Sequence, residues 1–164
     1  MDLSCDVLIL GSGGAGLLAA LHAARSKPGL RIVLASIQGG YNAVLDPADS
    51  LDKHLTDTLE GGQFINHQEL AYTLVRNAPT MIHELETVIG CFFDRRADGR
   101  IHQKPFAGQS FDRTVHRGDL TGIEIMGRLR DALFAAPVHV FEEVRALDLV
   151  RSADGSRIAG AVLL

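Results

Sequence analysis

Glycines near the start of the chain have the spacing of a nucleotide-binding turn. A short apolar run is followed by Gly11, Gly13 and Gly16 in the order G-x-G-x-x-G, and then by an Ala/Leu-rich segment. The first glycine allows a tight turn, the second lets backbone approach a diphosphate, and the third allows close packing of helix on strand. Because a helix begins with free N–H groups and the positive end of its dipole, the pattern predicts a dinucleotide site. The alternative is an ordinary glycine-rich turn between a strand and a helix.

The elements around this turn predict a βαβ unit. A helix from about Gly13 to Ser26 should end at Pro28-Gly29, and residues 30–35 form a second buried strand, expected to run parallel to the first. In NAD-binding proteins an acidic residue usually follows this strand and binds the ribose. Here that position holds Ser36, which can still bind a ribose hydroxyl but disfavours an NAD-dependent dehydrogenase.

Gln38, Gly39 and Gly40 follow Ser36 almost directly. Two adjacent glycines carry no side chains, so the backbone there could lie flat against a large planar ligand. An ordinary Gly-Gly turn explains the same residues, and the local sequence does not distinguish the two interpretations.

Hydrophobic periodicity predicts the remaining elements. In order these are helices at 49–60, 66–77, 79–89 and 119–135, a hairpin turning at 97–99, and strands at 138–141, 144–150 and 157–164. Asn66 and Glu69 have the spacing of a capping box, and Pro79 is expected to begin a new helix. We interpret His83 as a histidine on the surface of that helix rather than a ligand.

Composition indicates one domain with a substantial core. The chain has 164 residues, 46% of them hydrophobic and 22% charged, with a net charge of −4, which gives no reason to expect nucleic acid as a partner. No apolar run approaches the roughly 20 residues that span a bilayer. Cys5 and Cys91 are expected to be buried thiols, in keeping with a reducing cytoplasm. The apolar ending Val162-Leu163-Leu164 predicts that the chain is part of something larger.

Taken together, these segments resemble the flavoprotein subunit of succinate dehydrogenase and fumarate reductase, and its relative L-aspartate oxidase. The resemblance runs in order over nearly the whole chain. Its segments are the opening fingerprint at 6–21, Gln38-Gly39-Gly40 (A-Q-G-G), Asp57–Gly62 (D-T-x-K-G), Ala78-Pro79 with Glu84-Leu85-Glu86 (P-E-x-x-x-E-L-E), Asp98–Ser110 (D-G-R-I-Y-Q-R-P-F-G-G-Q-S) and Asp119–Gly122 (D-R-T-G-H). The segment at 98–110 is the most specific of them.

The resemblance implies an α/β protein with a Rossmann-like FAD-binding fold. This fold has a parallel sheet, a helical insertion and an antiparallel β-meander, of which Val144 onward would be the start. It also implies FAD as the cofactor and two-electron chemistry on a C4-dicarboxylate, in the cytoplasm or at the inner face of the membrane through a partner subunit. An iron–sulfur electron-transfer subunit is the partner implied. Residues 1–164 would then be a truncated FAD-binding domain, without the capping and C-terminal parts.

The resemblance also assigns site residues. Those expected at the FAD diphosphate are Gly11, Ser12, Gly13, Gly14, Ala15 and Gly16. Ser36 would bind the adenosine ribose, and Gln38, Gly39 and Gly40 would lie along the isoalloxazine. Phe106 matches the aromatic residue that packs over the substrate, with Gly39 also near the substrate.

Departures from the family pattern limit what can be assigned. The resemblance implies that members of the family carry roughly ten more residues than this chain between the second strand and the position of Gln38. In membrane-bound members that insert holds the histidine bonded covalently to the flavin, so here FAD is expected to be non-covalent. The family's tyrosine, second glycine and final histidine are replaced by His102, Ala107 and Ile123. His102 is either an acid or a replacement at a strand end. The family's catalytic arginine lies further on, so no residue is assigned a catalytic role and none is assigned to a metal. The alternative function is a non-catalytic nucleotide-binding or interaction domain.

Overall fold

The computed structural model describes residues 4–10, 14–35 and 41–164. Its elements, in chain order, are β1 (Val7–Leu10), α1 (Gly14–Ser26), β2 (Ile32–Ala35), α2 (Leu51–Gly61), α3 (Gln68–Thr87), β3 (Gln103–Lys104), β4 (Thr114–Val115), α4 (Thr121–Phe134), β5 (Val138–Val140), β6 (Ala146–Arg151) and β7 (Ile158–Leu163). Two compact units contain them, one formed by residues 1–39 with 129–164 and the other by residues 40–128.

The first unit contains a three-stranded parallel sheet. Strand β2 lies between β1 and β5, and both pairings are parallel, with Val7 opposite Ile32 and Ile32 opposite Val138. The β1–α1–β2 connection is the predicted βαβ unit. Helix α1 buries Leu17, Ala20 and Leu21, which recur at the three- and four-residue spacing of one helix face. The predicted first helix, second strand and parallel strand at 138–141 are therefore confirmed.

Strands β6 and β7 form an antiparallel hairpin in the same unit, as the sequence predicts. Its turn is closed by Asp154, whose carboxylate accepts hydrogen bonds from Ser152 Oγ and from both the backbone nitrogen and the hydroxyl of Ser156. Gly155 adopts a left-handed conformation with φ +70°, which glycine tolerates without strain. All six residues of β6 are exposed.

The second unit packs helices α2 and α3 with two short strands and the start of α4. Its fully buried side chains include those of Val75, Ile82, Leu85, Val115 and Ile125. Strands β3 and β4 pair antiparallel, with Gln103 opposite Val115. The predicted turn at 97–99 is present: Gly99 N donates to Arg96 O, and Arg95 bridges Ile101.

Helix α3 corrects the prediction of two helices separated at Pro79. The structure has one helix, Gln68–Thr87, that passes through Pro79. A proline inside a helix removes one hydrogen bond and costs about 3 kcal/mol. Here Val75 and Ile82, on either side of it, are both buried on one helix face together with Leu85. Burial of this continuous face outweighs the cost of the proline.

The predicted capping box at Asn66 is also wrong. The N-cap of α3 is His67, whose Nδ1 accepts from Leu70 N at 3.4 Å. Asn66 instead donates from Nδ2 to Thr58 O at 2.9 Å, across the end of α2. The amide side chain therefore closes the preceding helix rather than opening the following one, a choice that spacing along the chain does not reveal.

Candidate functional site

The carboxyl edge of the parallel sheet is the candidate cofactor site. Strands β1 and β2 run in register from Val7 and Ile32 to Leu10 and Ala35, so both end at the same edge. Helix α1 begins at Gly14, which is buried, and no acidic residue lies in its first turn at 14–17. A helix start with bare N–H groups and no carboxylate suits a diphosphate. The described residues at the carboxyl edge of the sheet and the start of α1 therefore fit the phosphates of a dinucleotide.

Part of the predicted cofactor site lies at the start of α1. Gly14, Ala15 and Gly16 form the first turn of α1, with Gly14 buried, Gly16 half-buried and Ala15 exposed. The other predicted cofactor residues lie outside the described residues and remain predictions: Gly11, Ser12, Gly13, Ser36, Gln38, Gly39 and Gly40.

Phe106 lies in the second unit, on the loop that follows β3. Its side chain is 66% exposed, which is high for a large aromatic residue. A turn in which Gln109 N donates to Phe106 O, with Gly108 at φ +80°, follows it. The loop therefore presents an aromatic ring on the surface of this unit, available to a ligand.

The first end of the Phe106 loop is fixed by Gln103. This side chain is buried, and its Nε2 donates to Ala43 O at 2.6 Å and to Arg113 O at 2.9 Å. Buried amides require such partners, because an unpaired polar group is costly away from water. The backbone at the start of the loop is therefore tied to two other segments.

The second end of the loop is fixed by Asp57 on α2. Asp57 Oδ2 accepts from both the backbone nitrogen and the Oγ of Ser110, each at 2.9 Å. Burial raises the pKa of Asp57, but hydrogen bonds from Ser110 and Arg113 outweigh burial, so this pKa is lowered. This carboxylate therefore joins two segments that are distant in the sequence, 57–62 and 98–110.

Arg113 connects these contacts and was missed by the sequence analysis. Its guanidinium is fully buried and binds the carboxylate of Asp49 through Nε and Nη2, at 2.5 and 2.8 Å. Its Nη1 also binds Asp57 Oδ2. These hydrogen bonds outweigh desolvation and raise the pKa of Arg113. The partners lie more than 50 residues apart in the chain, and no local pattern links them.

His102 belongs to a small polar cluster beside the same loop. Its Nδ1 lies 2.6 Å from Nε2 of the buried His116. The other ring nitrogen of His116, Nδ1, lies 3.2 Å from Asp94 Oδ2, without the alignment of a hydrogen bond. His102 is half-buried and engaged by a side chain. Whether it acts as an acid stays a prediction.

An open cavity, of about 770 Å³, lies elsewhere in the first unit. Its lining includes Ser4, Cys5 and Asp6 at the amino-terminal end of β1, together with Ile158 and other residues of the β6–β7 hairpin. The candidate cofactor site is at the opposite, carboxyl end of β1. This cavity is therefore not assigned to the cofactor.

A parallel sheet whose first strand is followed, within a few residues of the sequence, by a helix with glycines in its first turn defines a nucleotide-binding class of α/β protein. Within that class, the chain belongs to the family described as the FAD binding domain, whose model matches residues 6–164. FAD is therefore the cofactor of this domain, as predicted.

Known proteins similar to the chain include an FAD-dependent oxidoreductase and fumarate reductases. It is 41% identical, over 99% of its length, to an uncharacterized FAD-dependent oxidoreductase of Methanocaldococcus jannaschii. It is 39% identical, over 96% of its length, to one subunit of the CoM/CoB fumarate reductase of Methanothermobacter marburgensis. A solved variant of Escherichia coli quinol fumarate reductase matches with a TM-score of 0.88 and 31% identity, covering 99% of this chain and 29% of that one. The predicted resemblance to this flavoprotein family is confirmed.

The chain spans about 31% of the length of each of these two curated relatives. The aligned length of 171 positions exceeds the 164 residues of the chain, so both relatives carry additional residues within the matched region. Among the residues that the structure describes, no helix is long and apolar enough to cross a membrane. Both cysteines are free. Cys91 is buried, as predicted, and burial raises the pKa of its thiol to about 11, whereas Cys5 is half-buried, which corrects the prediction that it is a buried thiol.

Proposed function

We propose that this chain is the FAD-binding part of a flavin-dependent oxidoreductase that moves two electrons between FAD and a C4-dicarboxylate. The observation that carries the proposal is the family match over 6–164, together with 39% identity to a protein named fumarate reductase. When bound, FAD supplies the two-electron chemistry. The chain's own residues bind, orient and shield the reacting groups.

We infer the cofactor residues from position and chemistry. Gly14, Ala15 and Gly16 lie at the start of α1, where backbone N–H groups suit the FAD diphosphate, and Gly11, Ser12 and Gly13 complete that turn in the sequence. We assign Ser36 to the adenosine ribose. We assign Gln38, Gly39 and Gly40 to the isoalloxazine, because paired glycines leave backbone free to lie against a planar ring.

Phe106 is our candidate for the wall of the substrate site, with Gly39 as a second contact. Its ring is exposed on a loop whose start is held by a buried hydrogen bond and whose end is held by a hydrogen bond to Asp57. A fixed aromatic surface can exclude water from a small substrate and hold its C–C bond against the flavin. The hydrogen bonds at both ends of the loop support this role because they restrict the backbone that carries the ring.

We also infer that the partner is an iron–sulfur electron-transfer subunit, through which any membrane attachment would be made. Several relatives are named as the flavoprotein subunit of fumarate reductase, and a subunit is one part of an assembly. The Rossmann-like arrangement and the start of a β-meander at Val144 belong to the same proposal.

Absorbance of the purified protein tests the cofactor part of the proposal. We expect a yellow protein, or one that turns yellow with added FAD and keeps the colour through gel filtration. Acid precipitation should then release free flavin, because the expected linkage is non-covalent. A colourless protein that takes up no added FAD would contradict the proposal and favour a non-catalytic interaction domain instead.

A further inference from the structure

Both ends of the Phe106 loop depend on one buried residue, Arg113. Its backbone oxygen accepts from Gln103 Nε2 at the start of the loop, and also from Ala43 N at 3.2 Å. Its guanidinium binds Asp57, whose carboxylate holds Ser110 at the end of the loop. The exposed aromatic ring is therefore supported by a chain of contacts that passes through the unit's interior.

The charged side chains of this support are largely withdrawn from water. Arg113 and Asp49 are 0% and 1% exposed, and Asp57 is 13% exposed. Buried ion pairs are rarely more stabilising than well-packed apolar side chains of similar volume. The charged groups orient the Asp57 carboxylate toward the loop. Its Oδ2 accepts from Arg113 Nη1 and also from the backbone nitrogen and hydroxyl of Ser110.

We infer that Asp57, oriented by Arg113, is a positioning residue that fixes the loop from Lys104 to Ser110 and so sets the placement of Phe106. The importance of that placement for the substrate rests on the proposed function. The restraint on the loop is independent of the proposed function, because it depends only on contacts within one unit of the chain.

Three substitutions separate the contributions to this contact. Asp57→Ala removes the acceptor while leaving Arg113 paired with Asp49, and alanine suits the middle of α2. Ser110→Ala removes only the hydroxyl donor and keeps the backbone N–H. Ser110→Thr retains the hydroxyl and is the conservative variant expected to behave like the unsubstituted protein.

Asp98→Ala is the matched control. Its carboxylate, like that of Asp57, accepts from a backbone nitrogen and from a guanidinium, here Arg100 N at 3.0 Å and Arg100 Nε at 2.8 Å. It lies in the neighbouring turn, and within the part of the chain that the structure describes it makes no hydrogen bond to Ser110 or Arg113. Its loss should leave the Phe106 loop unchanged.

Native-state chymotrypsin cleavage, read by mass spectrometry, measures how firmly the loop is held. Cleavage after Phe106 is compared with cleavage after Phe64, which is 60% exposed and lies in the same unit. We expect Asp57→Ala to raise the ratio of Phe106 to Phe64 cleavage about tenfold or more, the effect of a lost charge-assisted hydrogen bond on local opening. Ser110→Ala should raise it several-fold, and Ser110→Thr and Asp98→Ala should not change it.

An unchanged ratio in Asp57→Ala would overturn the inference. Equal acceleration of cleavage at both sites also leaves the ratio unchanged, and it is the result expected from general destabilisation, which affects Phe64 as well as Phe106. If Asp57→Ala does not fold, the ratio in Ser110→Ala decides by the same criteria. A protein that binds no FAD would contradict the proposed function and leave this cleavage result intact, so the two failures are distinguishable.

Discussion

Arg113 holds Asp49 through two hydrogen bonds, from Nε to Oδ2 at 2.5 Å and from Nη2 to Oδ1 at 2.8 Å, with both side chains withdrawn from water. In a buried ion pair of this kind, each charge is compensated by the other member of the pair. Removing one member leaves the other as an uncompensated charge, and that penalty is larger than the net contribution of the intact pair.

We therefore predict that Arg113→Met destabilises the protein by about 3–5 kcal/mol, the usual cost of breaking a buried ion pair. Methionine fills similar space but leaves the Asp49 and Asp57 carboxylates without their cation. Urea unfolding at neutral pH, followed by circular dichroism, measures the change in free energy of unfolding.

Arg31→Met is the control for this prediction. Arg31 also holds a carboxylate at two points, Asp6 Oδ2 and Oδ1, but this pair is exposed. Solvent screens such pairs, so the loss should be far smaller than for Arg113. Equal losses in the two variants would mean that burial of Arg113 has no energetic consequence, which would contradict the prediction.

The stability of the protein should fall as the pH drops below the unfolded pKa of His54. His54 is buried, and its Nδ1 has no hydrogen-bond partner among the residues that the structure describes. Burial, with Arg113 nearby, lowers its pKa from 6.5. A lowered folded pKa means that the unfolded state binds the proton first. This contribution to stability is therefore complete above pH 6.5 and is lost as the pH falls from there through the folded pKa.

Urea unfolding at about pH 7.5 and about pH 5.5, on either side of the ordinary histidine pKa, checks this dependence. His54→Leu should lose less stability over that interval than the unsubstituted protein. His83→Leu, at an exposed position on α3, should keep the original slope. A His54→Leu slope identical to that of the unsubstituted protein would rule out the proposed role of this histidine.

Phe106→Ala should separate function from stability. Because the ring is largely exposed, we expect the free energy of unfolding to change by no more than about 0.5 kcal/mol. In a full-length protein containing this domain, kcat/KM for a C4-dicarboxylate should fall about tenfold or more through loss of substrate positioning. Phe64→Ala, at a similarly exposed site, is the control and should leave kcat/KM unchanged. Normal turnover by Phe106→Ala would remove this residue from the substrate site.

Local patterns predicted the elements that flank the proposed cofactor site. The apolar run at 7–10 and the Leu17–Leu21 face belong to adjacent segments, and adjacency is what periodicity detects. The parallel strand at Val138 was also predicted, since a short β-branched run after a long amphipathic helix is typical of such strands.

What the sequence did not reveal is decided by distant contacts. Pro79 ordinarily ends or begins a helix, yet here the burial of Val75, Ile82 and Leu85 carries α3 through it. The partnership of Arg113 with Asp49 and Asp57 joins positions more than 50 residues apart. No spacing rule for a single chain relates such residues, so the support beneath Phe106 became visible only in the fold.

FAD titration into the chain and its Gly13→Val variant tests the central claim most directly. Flavin retained after gel filtration is measured for both, with Gly127→Val, at an open and exposed helix position, as the control. We predict that the unsubstituted chain and Gly127→Val bind FAD. Gly13→Val should remain folded by circular dichroism but retain none, because a side chain there would occupy the position of the diphosphate. Equal flavin retention by Gly13→Val would contradict the assignment of the glycine-rich turn to the cofactor.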